Sequence, residues 1–159
     1  TCRKFYRYGL RFACTLCWNC CQQPGGSVKV SEKEILKIAL SLKMDTVGVR
    51  QRYCIPDSGS WKLKEQEDGA CIFLKNQQCV IYGSRPLQCC TFPFWPENLK
   101  SFYRWKQVKD ICPGIGRGKY HAPQEIDRLL KRQNSHDNNP WNWSVRYFVF
   151  SGLKSWYLR

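Results

Sequence analysis

The stretch Cys14-Thr-Leu-Cys17-Trp-Asn-Cys20-Cys21 decides how this chain folds. It holds two overlapping CxxC pairs and one further cysteine. A CxxC spacing lets two thiolates face one ion across a tight turn, as in structural zinc sites and iron–sulfur loops. Neighbouring side chains in an extended segment point in opposite directions, so Cys20 and Cys21 are not expected to share one tetrahedral site. The run favours two metal sites, or one multinuclear cluster with bridging sulfurs, and it needs ligands from elsewhere in the chain.

The remaining cysteines can supply those ligands, because the chain has eleven in 159 residues. The alternative is the disulfide framework of a secreted protein. The odd count, the tight cluster and the lack of a signal-peptide pattern disfavour it. Disulfides between cysteines three apart are also strained. Cysteine usage therefore indicates bound metal in a reducing compartment.

The composition points the same way and adds a partner class. Leu, Ile, Val and Phe number only 37 of the 159 residues, so we expect metal to stabilise the fold. Lys and Arg number 26 against 12 Asp and Glu, a net charge of +14, which favours an acidic partner such as nucleic acid. The apolar runs are short, as in 147–150, and exclude a membrane-spanning helix.

The start of the chain bears on its location. Its first residue is Thr1 rather than Met, so we expect a fragment or a processed mature form. Residues 1–12 are basic and lack the apolar stretch of a retained signal peptide. We expect a mitochondrial or plastid matrix, or the cytoplasm, as the reducing compartment.

Helices and a hairpin are predicted in the first half of the chain. Ser31 and Glu34 form a capping box ahead of apolar residues at helical spacing, which predicts a helix over 31–43. Asp45 can cap a second, shorter helix. Three short segments alternate or are apolar, as strands are. They are an exposed strand at 61–64 and a β-hairpin made of Cys71–Leu74 and Cys79–Tyr82, joined by 75–78.

The second half begins with a predicted helix over 103–111 that ends at Cys112-Pro-Gly-Ile-Gly-Arg-Gly118. These glycines could cradle a phosphate, but without a preceding strand and a following helix that signal is weak. The favoured interpretation is that they let backbone N–H groups approach cysteine sulfur. A further helix is predicted over 123–133.

The last part of the chain has a different composition. Seven aromatic residues crowd into 141–157 among basic residues. They form either an extra element that covers the core or a docking surface for protein or RNA. The overall expectation is a small, metal-stabilised α+β fold, with short helices and a β-hairpin around a cysteine cluster. A metal-binding domain over 1–118 precedes a basic, aromatic, partly helical extension over 119–159.

Several ordered motifs together resemble one known family. They are Tyr8-Gly-Leu-Arg-Phe-Ala-Cys14, the CxxCxxCC run, Arg85-Pro-Leu-Gln-Cys89, Thr91-Phe-Pro-Phe-Trp-Pro-Glu-Asn-Leu99 and Cys112-Pro-Gly-Ile-Gly116, with both hairpin segments. The chain resembles the YkgJ-like CxxCxxCC cysteine-cluster family, described as zinc- or iron-chelating, over about residues 5–118.

The resemblance implies eight metal ligands. Carried over by position, they are Cys14, Cys17, Cys20, Cys21, Cys71, Cys79, Cys89 and Cys112. Eight thiolates suit two four-cysteine sites. Cys2, Cys54 and Cys90 lie outside the pattern and are expected to be ordinary buried or surface thiols.

The chain also departs from the family pattern. Trp18 stands where the family usually has Gly, and Cys90 stands where it usually has an Arg that would partner thiolate charge. These changes suggest an altered family role, such as that of a structural subunit.

The metal itself stays open between two zinc ions and an iron–sulfur cluster, because all-thiolate ligation suits both. We favour zinc slightly, since no electron-transfer or radical motif accompanies the cysteines. No Ser/His/Asp, Cys/His or paired-carboxylate arrangement stands out, and His121 and His136 lie outside the family region.

The leading hypothesis is therefore a non-enzymatic, metal-binding structural or assembly subunit of a larger, RNA-containing complex. The alternatives are an iron–sulfur or metal-dependent enzyme of unknown substrate, and a protein that delivers metal.

Overall fold

A computed structural model of the chain describes residues 4–137, which form a mixed α+β fold. The helices are α1 (Asn19–Gln22), α2 (Glu32–Leu42), α3 (Thr46–Tyr53), α4 (Leu87–Thr91), α5 (Phe102–Ile111) and α6 (Pro123–Asp137). The strands are β1 (Leu10–Phe12), β2 (Lys29–Val30), β3 (Cys54–Asp57), β4 (Ser60–Leu63), β5 (Leu74–Lys75), β6 (Gln78–Cys79) and β7 (Ile115–His121). The expected fold class is confirmed.

The described residues divide into two compact units. Residues 4–20 and 91–137 are here called the ribbon unit, because β1 and β7 pair in it as an antiparallel ribbon. Residues 21–90 are called the sheet unit, and they hold the antiparallel sheet β2-β4-β3 and the hairpin β5-β6. The chain passes between the units at Cys20–Cys21 and at Cys90–Thr91.

The capping box at the start of α2 is present. The backbone N–H of Ser31 donates to Glu34 Oε2 at 2.8 Å, and the Ser31 hydroxyl donates to the same oxygen at 2.7 Å. Lys43 ends the helix in the left-handed conformation, with φ 54°. The apolar stripe is buried at Ile35 and Ile38. The predicted helix over 31–43 is confirmed, because its two outer residues are its caps.

Helix α3 confirms the second prediction. The Asp45 carboxylate accepts the backbone N–H of Gly48 and so satisfies a donor of the first turn. Val49 is fully buried, while Tyr53 is half-buried with its ring centroid 4.7 Å from that of Phe73.

The predicted hairpin exists but is tighter than expected. Leu74 lies opposite Cys79, and the turn consists of Asn76 and Gln77 alone, both at positive φ. Such two-residue turns match the twist of the flanking strands. The predicted four-residue connection over 75–78 is wrong, because its outer two residues, Lys75 and Gln78, pair with each other. The predicted strands over 71–74 and 79–82 are also wrong in extent: only Leu74 and Cys79 of them belong to strands, and a short 3-10 helix begins at Tyr82.

The strand predicted at 61–64 is β4, and it occupies the centre of its sheet rather than an exposed position. Leu63 is buried in the main apolar core of the sheet unit. That core consists of residues from the helices, the sheet and the hairpin region: Val30, Ile35, Ile38, Ala39, Val49, Cys54, Leu63, Phe73 and Ile81. Burial of these side chains is the main force that holds the unit together.

Aromatic rings form the core of the ribbon unit. Phe94 stacks on Trp105 with centroids 5.8 Å apart and meets the edge of Phe12 at 5.7 Å. Helix α5 confirms the prediction over 103–111; Ser101 caps it, and it buries Trp105 and Val108. The small aliphatic content is thus offset by large aromatic side chains.

Helix α6 confirms the helix predicted over 123–133 and continues to Asp137. Strand β7 runs through residue 118, and the aromatic cluster at 141–157 lies outside the described residues. The extension over 119–159 therefore stays a prediction. Between residues 4 and 137, no helix is long and apolar enough to cross a membrane.

Candidate metal centre

The eight cysteines implied by the family resemblance fall into two sets of four. The ribbon unit contains Cys14, Cys17, Cys20 and Cys112, and the sheet unit contains Cys21, Cys71, Cys79 and Cys89. The neighbours Cys20 and Cys21 are thus assigned to different units. They lie on helix α1, so the extended segment assumed from the sequence is wrong, although adjacent side chains of a helix do not face each other either. The ten cysteines of the described residues are present as thiols.

In the ribbon unit, hydrogen bonds on both sides of Cys112 join its segment to the CxxCxxCC loop. The N–H of Ala13 donates to the carbonyl of Gly114 at 3.3 Å, and a Cβ on Gly114 would overlap the carbonyl oxygen of Ala13. On the other side, Asn19 Nδ2 donates to the carbonyl of Ile111 at 2.9 Å. The loop that carries Cys14, Cys17 and Cys20 is therefore fastened before and after Cys112.

The surroundings of Cys112 shift the pKa of its thiol. Burial raises its pKa, and the N–H of Gly114, which donates to the sulfur, works against that rise. Negative charge on Cys17, Cys20 and Cys14 raises it further. The hydrogen bond from Gly114 is a contact between a backbone N–H and a cysteine sulfur, as expected for this glycine segment. A bound cation would reduce the repulsion between neighbouring thiolates.

In the sheet unit, three of the four cysteines are linked directly. The N–H of Cys71 donates to the carbonyl of Cys21 at 2.8 Å, and the Cys79 thiol is hydrogen-bonded to Cys21. That bond, with the N–H of Ile81, lowers the pKa of Cys79 to about 7 despite burial. Cys89 lies on α4 of the same unit.

The position of α4 is set by side chains that cap backbone groups. The N–H of Leu87 donates to Glu34 Oε1 at 2.7 Å. Gln88 bridges to β2, because its Oε1 accepts from the N–H of Lys29 at 3.0 Å while its Nε2 donates to the carbonyl of Ser27 at 2.9 Å. Glu34 and Gln88 are both buried, so these bonds hold the Cys89 helix against the rest of the unit.

Arg85 is a site residue that the sequence interpretation missed. Its charge also lowers the pKa of Cys79, its Nε donates to the carbonyl of Tyr82 at 2.9 Å, and its guanidinium lies 3.6 Å from the Tyr82 ring centroid. A positive partner for thiolate charge is therefore present although Cys90 replaces the usual arginine. The sequence signal that could have identified Arg85 is the Arg-Pro pair that follows the hairpin.

The cysteines outside the pattern have other surroundings. Cys54 is buried in the apolar core, and burial raises its pKa to about 11. Cys90 is exposed, and its thiol donates to the carbonyl of Arg85 at 3.5 Å. Cys2 lies outside the described residues.

Both histidines lie on regular structure. His121 is on β7; its Nε2 lies 3.3 Å from the carbonyl of Phe12 and its Nδ1 lies 3.2 Å from Glu125 Oε1. These contacts and its ring packing on Phe94 give it a structural role. His136 falls within α6.

The donor set suits a thiophilic metal. Four thiols in each unit match the four-cysteine ligation of structural zinc and of iron–sulfur clusters. Between residues 4 and 137, however, no three His, Cys, Asp or Glu side chains already meet metal-holding geometry. The ligand assignment therefore stays a prediction, and binding would require the thiols of each set to close in on the ion.

Comparison with known proteins agrees with the cysteine pattern. The profile of the CxxCxxCC family, described as a "Putative zinc- or iron-chelating domain", matches residues 13–113. The chain is also similar to the uncharacterised protein MJ0661 of Methanocaldococcus jannaschii, with 35% identity over 91 residues, or 56% of this chain and 48% of that protein. The chain thus spans about half the length of this relative. No solved structure matches this chain. The chain belongs to the CxxCxxCC family and is a metal-binding cysteine-cluster protein.

Proposed function

We propose that the chain binds two metal ions in two separate four-cysteine sites. One site uses Cys14, Cys17, Cys20 and Cys112, and the other uses Cys21, Cys71, Cys79 and Cys89. The observation that carries the proposal is that Cys20 and Cys21, adjacent in sequence, belong to different compact units, each with three more of the eight cysteines.

The contacts within each unit support this division. The bonds from Ala13 to Gly114 and from Asn19 to Ile111 fasten the motif loop around Cys112. The bond from Cys71 to Cys21 does the same for the second set. Fully cysteine-ligated sites leave no open coordination position, which favours a structural role over a catalytic one.

Zinc is the metal that we propose for both sites. A closed thiolate site whose task is folding needs no redox chemistry, and zinc supplies cross-links between segments that the small aliphatic core cannot hold alone. The wider role that we propose is that of a structural or assembly subunit in a larger complex that contains RNA. The excess of Lys and Arg supports it, since phosphate backbones attract such surfaces.

Metal content of single-site variants tests the two-site arrangement. Elemental analysis of the anaerobically purified chain should give two zinc ions, while Cys17→Ser and Cys79→Ser should each retain one. Cys90→Ser, at an exposed cysteine outside both sets, is the matched control and should retain two. Loss of all metal from each ligand variant would indicate one shared cluster, and iron with acid-labile sulfide would overturn the choice of zinc.

Loss of one ion should unfold the ribbon unit of Cys17→Ser and make the variant prone to aggregation, because metal binding and folding are coupled. Stepwise chelation of the unaltered chain provides a second readout. Removal of one ion should increase hydrogen exchange in residues 4–20 and 91–133, and removal of the other should increase it in 21–90. Simultaneous loss of protection in both ranges with a single release step would contradict two separate sites.

A further inference from the structure

Strand β7 carries an unusual bulge opposite β1. Arg11 pairs with Tyr120, but the next residue, Phe12, pairs with Ile115, so Gly116–Lys119 has no residue opposite it on β1. Gly116 and Gly118 have φ values of 84° and 68°, which only glycine adopts at little cost. The bulge projects a short Gly-Arg-Gly-Lys segment from the ribbon.

This bulge is held in place. Arg11 Nη1 donates to the carbonyl of Gly118 at 2.9 Å, and Gly118 packs so closely on Ala13 that a Cβ would overlap it. Arg117 and Lys119 are exposed at its tip. An ion pair with Glu125, at 2.8 Å, partly neutralises Lys119, so Arg117 is the main cation of the tip. A fixed backbone with exposed cations is suited to phosphate contacts.

Two exposed aromatic rings lie close to the bulge, Tyr120 on β7 and Tyr8 in the turn that precedes β1. Tyr8 is 76% exposed and Tyr120 is 48% exposed. The Tyr120 hydroxyl donates to the carbonyl of Tyr8 at 3.0 Å, and its ring covers Gly9. The Arg7 guanidinium lies 4.6 Å from the Tyr8 ring centroid. Exposed rings beside cations are the elements with which proteins bind single-stranded nucleic acid.

The ribbon unit, which carries the bulge, is more positively charged than the sheet unit. Residues 4–20 and 91–137, the ribbon unit, contain twelve Lys and Arg against five Asp and Glu, whereas the sheet unit contains ten against seven. The ribbon and the turn that leads into it, residues 7–12 and 115–121, contain three arginines and a lysine and no carboxylate. Positive potential is therefore concentrated on the unit that carries the bulge.

We propose that the β1–β7 ribbon binds single-stranded RNA, with Arg117, Lys119 and Arg11 at the phosphates and Tyr8 and Tyr120 stacked on bases. This inference rests on the proposed role in an RNA-containing complex. The rings favour unpaired bases over a duplex, in which bases are stacked on each other. The exposed run 116–120 has no aliphatic side chain, which disfavours insertion into a lipid surface.

Fluorescence anisotropy tests the proposal with the metal-loaded full chain and a labelled RNA of about 12 nucleotides of mixed sequence. Affinity should fall steeply between about 50 and 200 mM KCl. Arg117→Glu should weaken binding about tenfold and reduce the magnitude of the salt slope by about 1. Tyr8→Ala should weaken binding about tenfold with little change in slope, because it removes stacking rather than charge.

Matched controls separate the surface from general effects. Tyr103→Ala removes a ring that is 69% exposed on α5 of the same unit, and Lys37→Glu reverses an exposed charge on α2 of the sheet unit. Both should change affinity less than about twofold, and every variant should retain the metal content of the unaltered chain.

Each contrary outcome has its own meaning. RNA binding that persists in Arg117→Glu and Tyr8→Ala would overturn the ribbon as the interface while leaving the wider role intact. No salt-dependent RNA binding by the unaltered, metal-loaded chain would overturn both the interface and the RNA-containing role, but not the metal sites. Tighter binding to the same sequence as a duplex, or to vesicles rich in anionic lipid, would overturn the choice of single-stranded RNA.

Discussion

Asn19, which stands between the second and third cysteines of the motif, donates its side-chain amide to the carbonyl of Ile111 at 2.9 Å. Ile111 immediately precedes Cys112. A residue of the motif that is not a cysteine thus fastens the loop to a segment more than ninety positions away. This bond holds the motif loop against the segment that carries Cys112, and it provides the first test of the site that we propose in the ribbon unit.

Asn19→Ala should loosen that site. The variant leaves the Ile111 carbonyl without this donor, so we expect the free energy of unfolding to fall by about 1–2 kcal/mol. Under the proposed two-site arrangement, one metal ion should dissociate faster during chelation, while the other is unchanged. Gln124→Ala, at an exposed position on α6, is the control. Equal acceleration of both ions would show that Asn19 does not act on one site alone.

Gly114→Ala should be more damaging. The added Cβ would overlap the Ala13 carbonyl, which is backbone and has little room to move. Overpacking of this kind costs about 1–3 kcal/mol or more, and here it separates the segments that carry Cys14 and Cys112. Thermal melting and metal analysis should show lower stability and loss of one ion. Gly83→Ala, where a Cβ meets nothing within 4 Å, should be tolerated; similar damage from both substitutions would contradict the explanation.

Glu34→Ala should destabilise the sheet unit through two elements at once. One Glu34 oxygen accepts from the N–H of Ser31 and the other accepts from the N–H of Leu87, so the buried carboxylate ties the start of α2 to the start of α4. Leaving both donors unsatisfied should lower the free energy of unfolding by about 2–3 kcal/mol in urea titrations. Exposed Lys33→Ala should change it by less than about 0.5 kcal/mol. A small effect of Glu34→Ala would mean that water replaces the carboxylate.

Cys54 should make stability depend on alkaline pH. Burial raises its pKa from 9.0 to about 11 in the folded chain. A raised folded pKa stabilises the fold below the unfolded pKa, and that contribution disappears as pH rises through about 11. The loss should amount to about 2–3 kcal/mol between pH 9 and 11.

The Cys54→Ala variant isolates this effect. Its cavity should cost a similar amount at every pH, so its stability should fall less steeply above pH 9 than that of the unaltered chain. Parallel slopes for the two proteins in urea titrations would show that the Cys54 thiol is not the titrating group.

Local signals were enough for much of the secondary structure. The Ser31–Glu34 box and the Asp45 cap are bonds between residues three apart, so a linear pattern contains all that they need. The existence of the hairpin was predicted for the same reason, although its turn was predicted too long and its strands were placed too far from the turn. The ribbon was missed because β1 is only three residues long and its partner β7 lies about a hundred positions away.

The sequence by itself determined the family, the α+β class, the metal-binding character and the expectation that adjacent Cys20 and Cys21 do not share a site. The first three follow from residue chemistry and from the CxxC spacing. The expectation for Cys20 and Cys21 assumed an extended backbone, whereas both lie on α1, where adjacent side chains also diverge. Only the tertiary structure divided the eight cysteines between two units, brought the charge of Arg85 to bear on the pKa of Cys79 and concentrated positive charge on the ribbon unit. Such relationships depend on which distant segments pack together, and packing is decided by the burial of side chains from the whole chain rather than by any local pattern.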